Sequence, residues 1–181
     1  AFIALADGTV FHGYAFGKLK DTEGEVVFNT GMAGYKQIIT DPSYAGQFVV
    51  FTTAEVGAYA THFEKSESRQ VFLNGIVVNS LDWVSKELNE ESLHHFMLTQ
   101  DKPGIAGVDT RALTLHLREH GAQKAYLHVE ESEMSEEEGI KKAKEWIGLD
   151  GQDYATMVSD PNGYEFSTEG KYKVIALDFG I

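Results

Sequence analysis

The chain has 181 residues, 43% of them hydrophobic and 12% aromatic, and 28 acidic against 15 basic residues give a formal net charge of −13. This composition is typical of a globular domain rather than a disordered chain, and a surface of this sign repels phosphate backbones and anionic lipids, which disfavours nucleic-acid and membrane roles. Cysteine is absent, so the chain cannot supply a cysteine nucleophile of its own.

A β-hairpin is predicted at the start of the chain. Residues 2–5 and 10–14 are rich in aromatic and branched apolar side chains, which favour strands. Between them lies Asp7-Gly8, the preferred pair for a two-residue hairpin turn.

The stretch from residue 25 to residue 47 organises the rest of the chain. A strand over residues 26–28 ends at an Asn-Thr-Gly turn. Apolar residues then recur at helical spacing, at Tyr35, Ile38 and Ile39. The pattern predicts a strand followed by a short helix.

A turn follows that helix. The helix stops at Asp41 because this residue precedes a proline. Residues 41–46 have the composition of a tight turn, which can present the Ser43 hydroxyl outward on a rigid base. A further strand is predicted over residues 47–52, so the Ser43 loop lies between a helix and a strand.

The middle of the chain is predicted to contain a loop, a strand and a helix. Residues 53–69 are polar and aperiodic, as in a long surface loop. Residues 74–81 form a continuous apolar strand. Residues 89–91 open a helix whose apolar positions are Leu93, Phe96 and Met97.

The next unit is a strand over residues 105–108 followed by a helix. Asp109 can cap this helix through its side-chain oxygen. Leu113 and Leu117 lie four residues apart and face the core, and Gly121 supplies the left-handed stop.

The last predicted helix follows a strand over residues 126–129. Ser135 and Glu138 form a capping-box pattern at its start, and Gly148 closes it. Its predicted core-facing residues are Ile140, Ala143 and Ile147. Residues 150–170 are turn-rich and are the best linker candidate, and residues 173–178 have the pattern of a buried strand. These patterns alone predict a mixed α/β or α+β domain.

Four segments together carry a family resemblance. GEVVFNTGMAGYKQIITDPSYAGQ (residues 24–47) closely resembles the N-terminal domain of the small, glutamine-hydrolysing subunit of carbamoyl phosphate synthetase. DGTVFHGYAF (7–16) resembles the opening hairpin of that domain, and GVDTRALTLHLREHGAQ (107–123) resembles its central helix with the preceding strand. KVIALDFGI (173–181) resembles the first strand of the family's glutamine amidotransferase domain.

The resemblance implies a fold and a domain plan. The expected fold is a layered β/β/α domain of the swivelling type, with mixed strands, two stacked sheets and helices on one side. We expect this domain over residues 1–150, a linker over 151–170 and the first strand of a class I amidotransferase domain over 171–181. Both ends of the chain resemble cuts, which indicates a fragment.

The resemblance also implies a function. In the family, a Cys-His-Glu site in the following domain hydrolyses glutamine, and ammonia passes to a large subunit that makes carbamoyl phosphate for the pyrimidine and arginine pathways. Ser43 is expected to donate or accept a hydrogen bond at the glutamine site, and no catalytic residue or metal ligand is expected in this chain. ATP and magnesium or manganese ions are expected only on the large subunit.

Localisation follows from the same features. The chain has no apolar run of about 18 residues and no signal-peptide pattern, and the absence of cysteine fits a reducing compartment. We expect a soluble, cytoplasmic protein whose partners are the large subunit and, through the amidotransferase domain, glutamine.

Two alternatives remain open. The family has a Gly-Asn-Tyr/Val-Gly kind of turn where this chain has Gly57-Ala58-Tyr59-Ala60, which favours a binding or scaffold domain that has lost the synthetase role. His116, Glu119 and His120 spell the H-x-x-E-H pattern of one class of zinc peptidases, which predicts a zinc hydrolase if a metal binds there.

Overall fold

A computed structural model describes residues 1–57, 66–81, 92–129, 131–165, 167 and 169–177. The strands in these residues are β1 (Phe2–Leu5), β2 (Val10–His12), β3 (Tyr14–Gly17), β4 (Thr22–Asn29), β5 (Gln47–Phe51), β6 (Glu55–Val56), β7 (Gly75–Val77), β8 (Ser80–Leu81), β9 (Pro103–Ala106) and β10 (Gln123–His128). The helices are α1 (Tyr35–Thr40), α2 (Leu93–Thr99), α3 (Thr110–His120), α4 (Glu136–Glu145) and α5 (Tyr154–Val158), and a 3₁₀ turn spans Pro42–Tyr44. None of the described helices is long and apolar enough to cross a membrane.

Eight of the strands form one mixed sheet in the order β2-β1-β10-β4-β5-β7-β9-β3. Its centre is parallel, because β4, β5, β7 and β9 run in the same direction. Antiparallel strands flank this centre, with β10, β1 and β2 on one side and β3 on the other. A second, two-stranded parallel sheet joins β6 to β8. The predicted mixed α/β fold with two sheets is confirmed.

Both faces of the large sheet are buried. Successive side chains of β5 alternate between them: Phe48 and Val50 pack on one face, Val49 and Phe51 on the other. Leu residues of α3 pack with the first pair, while α1, α2 and the small sheet pack with the second. Helices therefore cover both faces of the sheet rather than the one side that was expected.

The α3 helix forms as its sequence predicts. The Asp109 side chain caps it by accepting a hydrogen bond from the Ala112 backbone N–H at 2.9 Å. Leu113 and Leu117 are buried, and Gly121 ends the helix with φ +83°.

The N-terminal hairpin is confirmed, but its loop is longer than predicted. The Leu5 N–H donates to the Thr9 carbonyl at 2.8 Å, which leaves the three residues 6–8 in the loop instead of two. Gly8 adopts φ +103° in this loop. A three-residue loop with glycine at a positive φ is the next most common hairpin connection.

The second strand of that hairpin ends earlier than predicted. Tyr14 belongs to β3, which pairs with β9 at the opposite edge of the sheet. Only Gly13 separates β2 from β3, so the two edge strands of the sheet lie next to each other at this point, and a Cβ atom on Gly13 would collide with the Ala106 carbonyl oxygen. Because this pairing joins residues far apart in sequence, the local apolar pattern could not reveal it.

The predicted strand over residues 74–81 is two strands. Gly75–Val77 is a central strand of the large sheet, and Ser80–Leu81 pairs in the small sheet. Its partner, Glu55–Val56, lies within the predicted loop of residues 53–69. Residues 58–65 of that loop lie outside the described residues.

Two helix boundaries differ from the predictions. The N-cap of α2 is Ser92, whose hydroxyl accepts from the His95 N–H, and the predicted opening residues 89–91 lie outside the described part of the chain. Ser135 caps α4 as predicted, but α4 ends at Glu145 because Trp146 is extended. Ile147 is therefore 73% exposed instead of facing the core.

The predicted buried strand over residues 173–178 is not formed in the described residues 173–177. Val174, Ile175 and Leu177 are each more than 70% exposed. A strand of this apolar pattern requires a neighbouring strand and a cover on both faces, and the described residues supply neither here. Asp178 lies outside them.

Candidate functional site

The Ser43 turn is fixed by hydrogen bonds among its own residues. The Asp41 carboxylate accepts a hydrogen bond from the Ser43 N–H at 2.9 Å, and the Ala45 N–H donates to the Pro42 carbonyl at 3.1 Å. Pro42 restricts φ at the first position of the turn. Ser43 itself is exposed, and its hydroxyl has no hydrogen-bond partner recorded within the described part of the chain. The turn therefore presents the hydroxyl outward, as predicted.

Side chains on both flanks connect this turn to the large sheet. The Tyr44 hydroxyl accepts a hydrogen bond from the Asn29 side-chain amide at 3.0 Å, at the end of β4. On the other flank, the Gln47 amide donates to the Glu25 carboxylate at 2.8 Å. Ala45, between them, is buried. These contacts give the turn a rigid base.

Gly46 lies at the close approach of the turn to a later segment. It adopts φ +80°, which favours glycine, and a Cβ atom on it would lie 2.7 Å from Leu149 Cδ2 and nearer still to the Tyr154 hydroxyl. The Tyr154 side chain therefore packs directly on the Gly46 backbone. Burial raises the pKa of the Tyr154 phenol.

Tyr154 is the first residue of α5, a helix within the predicted linker of residues 151–170. Asp153 caps this helix: its carboxylate accepts from the Thr156 hydroxyl at 2.6 Å and from the Thr156 N–H at 3.0 Å. These hydrogen bonds hold the pKa of Asp153 below its usual range. The segment forms a short helix that contacts the Ser43 turn. The proposed domain boundary stays a prediction.

Arg69 holds the other end of α5. Its guanidinium donates to the Val158 and Ser159 carbonyls at 3.3 and 3.2 Å, and it stacks over the Phe72 ring with 5.3 Å to the centroid. The neighbouring Ser68 hydroxyl donates to a backbone carbonyl at the end of α1. The segment from Leu149 to Asp160, called the strap below, is thus attached to the domain at both ends.

A shallow groove of about 260 Å³ lies between the turn and the strap. It is lined by Pro42, Ser43, Ala45, Gln47, Leu149, Tyr154, Ala155 and Val158. Complete small-molecule sites usually enclose roughly 300–1,000 Å³ and bury most of the ligand. The open groove has room for part of a ligand, with Ser43 on its rim, so a second surface would be needed to complete the site.

The H-x-x-E-H segment has a different environment. The His116 ring pairs with the Asp7 carboxylate of the hairpin loop, and the His120 ring lies within 3.0 Å of the His116 carbonyl oxygen. The two rings stack with 4.4 Å between their centroids, while Glu119 is exposed. Both histidines therefore contribute to local structure at the end of α3.

The described residues do not contain a metal-ligand set that would support the zinc alternative. Among the described residues, no group of three or more histidine, aspartate or glutamate side chains is arranged to hold a metal ion. A catalytic zinc site needs three protein ligands and an open position. The pairing of His116 with Asp7 explains that part of the motif without a metal.

Sequence reasoning identified Ser43 but missed the residues that support it. The role of Ser43 toward glutamine stays a prediction. Gly46, Tyr154 and Arg69 were not singled out, because their contacts join segments far apart in the chain. The spacing of Asp153 and Thr156 could have indicated the α5 cap. Of the divergent turn at residues 57–60, only the first residue belongs to the described part.

Known proteins resemble this chain over its whole length. The family model described as carbamoyl-phosphate synthase small chain, CPSase domain, matches residues 3–127. Carbamoyl phosphate synthase small chains from Acinetobacter baylyi and Pseudomonas syringae pv. tomato are 40% and 39% identical, each over 100% of this chain and 52% of the relative. The small chain of Vibrio cholerae is 38% identical over 99% of this chain and 52% of its own length. The chain thus spans about half the length of the curated relatives it matches.

Proposed function

The chain belongs to the family of carbamoyl phosphate synthase small chains, and we propose that it forms the N-terminal, non-nucleophilic domain of a glutamine-dependent enzyme of this kind. In this proposal, the half of the family's length that the chain does not span carries a cysteine nucleophile and hydrolyses glutamine. Ammonia then passes to a large chain, which makes carbamoyl phosphate from bicarbonate and two ATP. ATP and its magnesium or manganese ions bind to that large chain.

The geometry of the Ser43 turn carries the proposal for this domain. Its backbone is held by Asp41, its flanks are held by Tyr44 and Gln47, and its exposed hydroxyl has no recorded partner among the described residues. A hydroxyl fixed in this way can offer a hydrogen bond to a ligand at little cost in conformational entropy. We infer that Ser43 hydrogen-bonds to glutamine.

The groove beside Ser43 supports a shared site. It is open on one side and somewhat smaller than a typical enclosed ligand pocket, so the amidotransferase half would supply the remaining walls. Glutamine would then lie between the two halves, with its reacting amide at the cysteine and another of its polar groups within reach of Ser43. The proposed partners are the large chain and glutamine, in the cytoplasm, in pyrimidine or arginine synthesis.

The test is ammonia release from glutamine by the full-length gene product, measured with and without the large chain. We expect release that rises when the large chain is added, because the two activities of such an enzyme must be coordinated to avoid losing ammonia. The matched control supplies free ammonia in place of glutamine and follows carbamoyl phosphate directly.

Absence of release from a folded full-length protein would contradict the proposal. If free ammonia still gives carbamoyl phosphate with the large chain, the protein is an ammonia-dependent relative. If the protein neither releases ammonia nor binds the large chain, the domain has the scaffold role that the divergent Gly57–Ala60 turn suggested.

A further inference from the structure

The strap meets the Ser43 turn at one contact, between the Tyr154 ring and Gly46. Gly46 lies three residues after Ser43, and its backbone leads directly into β5 through Gln47. Because Gly46 has no side chain, the tip of the Tyr154 ring rests on the main chain itself. A displacement of this ring therefore acts on the backbone of the turn.

The position of the strap is determined by contacts at both ends of its helix. Asp153 caps its helix at one end, and Arg69 binds two carbonyl groups at the other. Leu149 adds a second apolar contact to Gly46. The strap is thus in contact with two other segments of the chain, the turn at Gly46 and the segment that contains Arg69, so the ring of Tyr154 has a defined position against the turn.

The Tyr154 contact depends on the shape of the ring. No hydrogen bond of its hydroxyl is recorded within the described residues, whereas its ring tip fills the space that a side chain at position 46 would need. Tyr154 also lines the same groove as Ser43. A phenylalanine keeps most of this packing, and an alanine removes it.

We propose that Tyr154 is a positioning residue for Ser43: its ring, packed on Gly46, fixes the backbone of the turn and so directs the Ser43 hydroxyl toward bound glutamine. This inference rests on the proposed function, in which Ser43 binds glutamine. It assigns to the segment after residue 150 a part in substrate binding, in addition to joining two domains.

The test compares steady-state ammonia release by full-length variants in the presence of the large chain. Tyr154→Ala should raise the KM for glutamine roughly two- to tenfold, the range of one weakened hydrogen bond, with a smaller change in kcat. Tyr154→Phe should restore the KM to within about twofold of the parent value. Met157→Ala is the matched control, because Met157 lies on the same helix, is 53% exposed and should leave the KM unchanged.

A double variant separates a positioning role from a general structural one. If Tyr154 acts through Ser43, the KM of the double variant should be no more than about twofold higher than the KM of Ser43→Ala alone. Arg69→Ala gives a second route, because it keeps the ring but releases the Val158 and Ser159 carbonyls. Its effect on the KM should likewise vanish in the Ser43→Ala background.

Three outcomes would overturn the inference. If Ser43→Ala raises the KM while Tyr154→Ala and Arg69→Ala do not, the strap has no positioning role although the proposed function stands. If the effects of Tyr154→Ala and Ser43→Ala multiply, Tyr154 acts independently of Ser43. If Ser43→Ala itself leaves glutamine kinetics unchanged, the proposed role of Ser43 fails first, and the role of Tyr154 fails with it.

Discussion

The Ser43 turn and the end of α3 both contain residue types that are often catalytic or ligand-binding. The His116 side chain in α3 is paired within the protein, whereas the Ser43 hydroxyl is exposed. At the end of α3, His116 pairs with Asp7, and His120 lies beside the His116 carbonyl. At the Ser43 turn, the supporting contacts come from the backbone and from neighbouring side chains, and the hydroxyl stays exposed.

This difference shows what distinguishes a candidate site from a chance motif. The H-x-x-E-H pattern contains three functional side chains, yet the imidazole of His116 already has a partner within the protein. Ser43 is a single, common residue, but it stands on a turn whose conformation is determined by several independent contacts. A rigid frame around an available polar group is the better indicator of binding.

The largest effect on this comparison is expected from Gly46→Ala. The added methyl group would collide with Tyr154 and Leu149, and the turn would hold the alanine at a strained φ of +80°. We therefore expect the free energy of unfolding to fall by about 2–4 kcal/mol. The control is Gly8→Ala, which has φ +103° but open space around it and should cost only about 1 kcal/mol. Chemical denaturation measures the loss of unfolding free energy in both variants. Equal losses would show that a methyl group at position 46 does not collide with Tyr154.

A smaller effect is expected from His116→Ala. Loss of the partly buried pair with Asp7 should reduce the free energy of unfolding by about 1 kcal/mol. Glutamine-dependent ammonia release by the full-length protein should not change, because His116 pairs with Asp7 and does not line the groove beside Ser43. Ammonia release that falls in a folded variant would contradict a purely structural role for His116.

The smallest effect is the pH dependence of the same pair. Burial alone would raise the pKa of Asp7, but hydrogen bonds from Thr9 and His116 outweigh it and hold the pKa below the ordinary value of 3.8. The ionised carboxylate therefore stabilises the fold fully above that value, and this contribution is lost as the pH falls through the folded-state pKa.

Asp7→Asn tests this dependence. At pH 7 the variant should be less stable than the parent by under about 1 kcal/mol, since the pair is partly exposed, and the difference should narrow as the pH falls below 3.8 and through the folded-state pKa of Asp7. Denaturant titrations at the two pH values measure it. A gap that stays constant with pH would mean that the Asp7 charge does not stabilise the hairpin loop.

The sequence was most informative where structure depends on neighbouring residues. The cap of α3 at Asp109, its stop at Gly121 and the Asp41-Pro42 turn all follow from local backbone chemistry. Predictions were less accurate where the structure depends on contacts between residues far apart in the sequence. Tyr14 joins β9 rather than the hairpin, and Gly13 before it allows the close approach of the chain to the Ala106 backbone. Ile147 is exposed because α4 ends two residues earlier.

The same difference between local and long-range contacts applies to the candidate site. An exposed serine in a tight turn could be predicted from its residue types, and family resemblance pointed to its role. Its support could not, because Tyr154 contacts the turn from a segment far away in the sequence, and Arg69 in turn binds that segment from another part of the chain. Such contacts depend on the packing of the whole fold, which no local pattern specifies.

The most direct test of this account is the kinetics of Ser43→Ala in the full-length protein with its large chain. We predict a KM for glutamine raised roughly two- to tenfold, an unfolding free energy within about 0.5 kcal/mol of the parent and unchanged carbamoyl phosphate formation from free ammonia. Glutamine kinetics equal to those of the parent would contradict the assignment of Ser43 to the glutamine site.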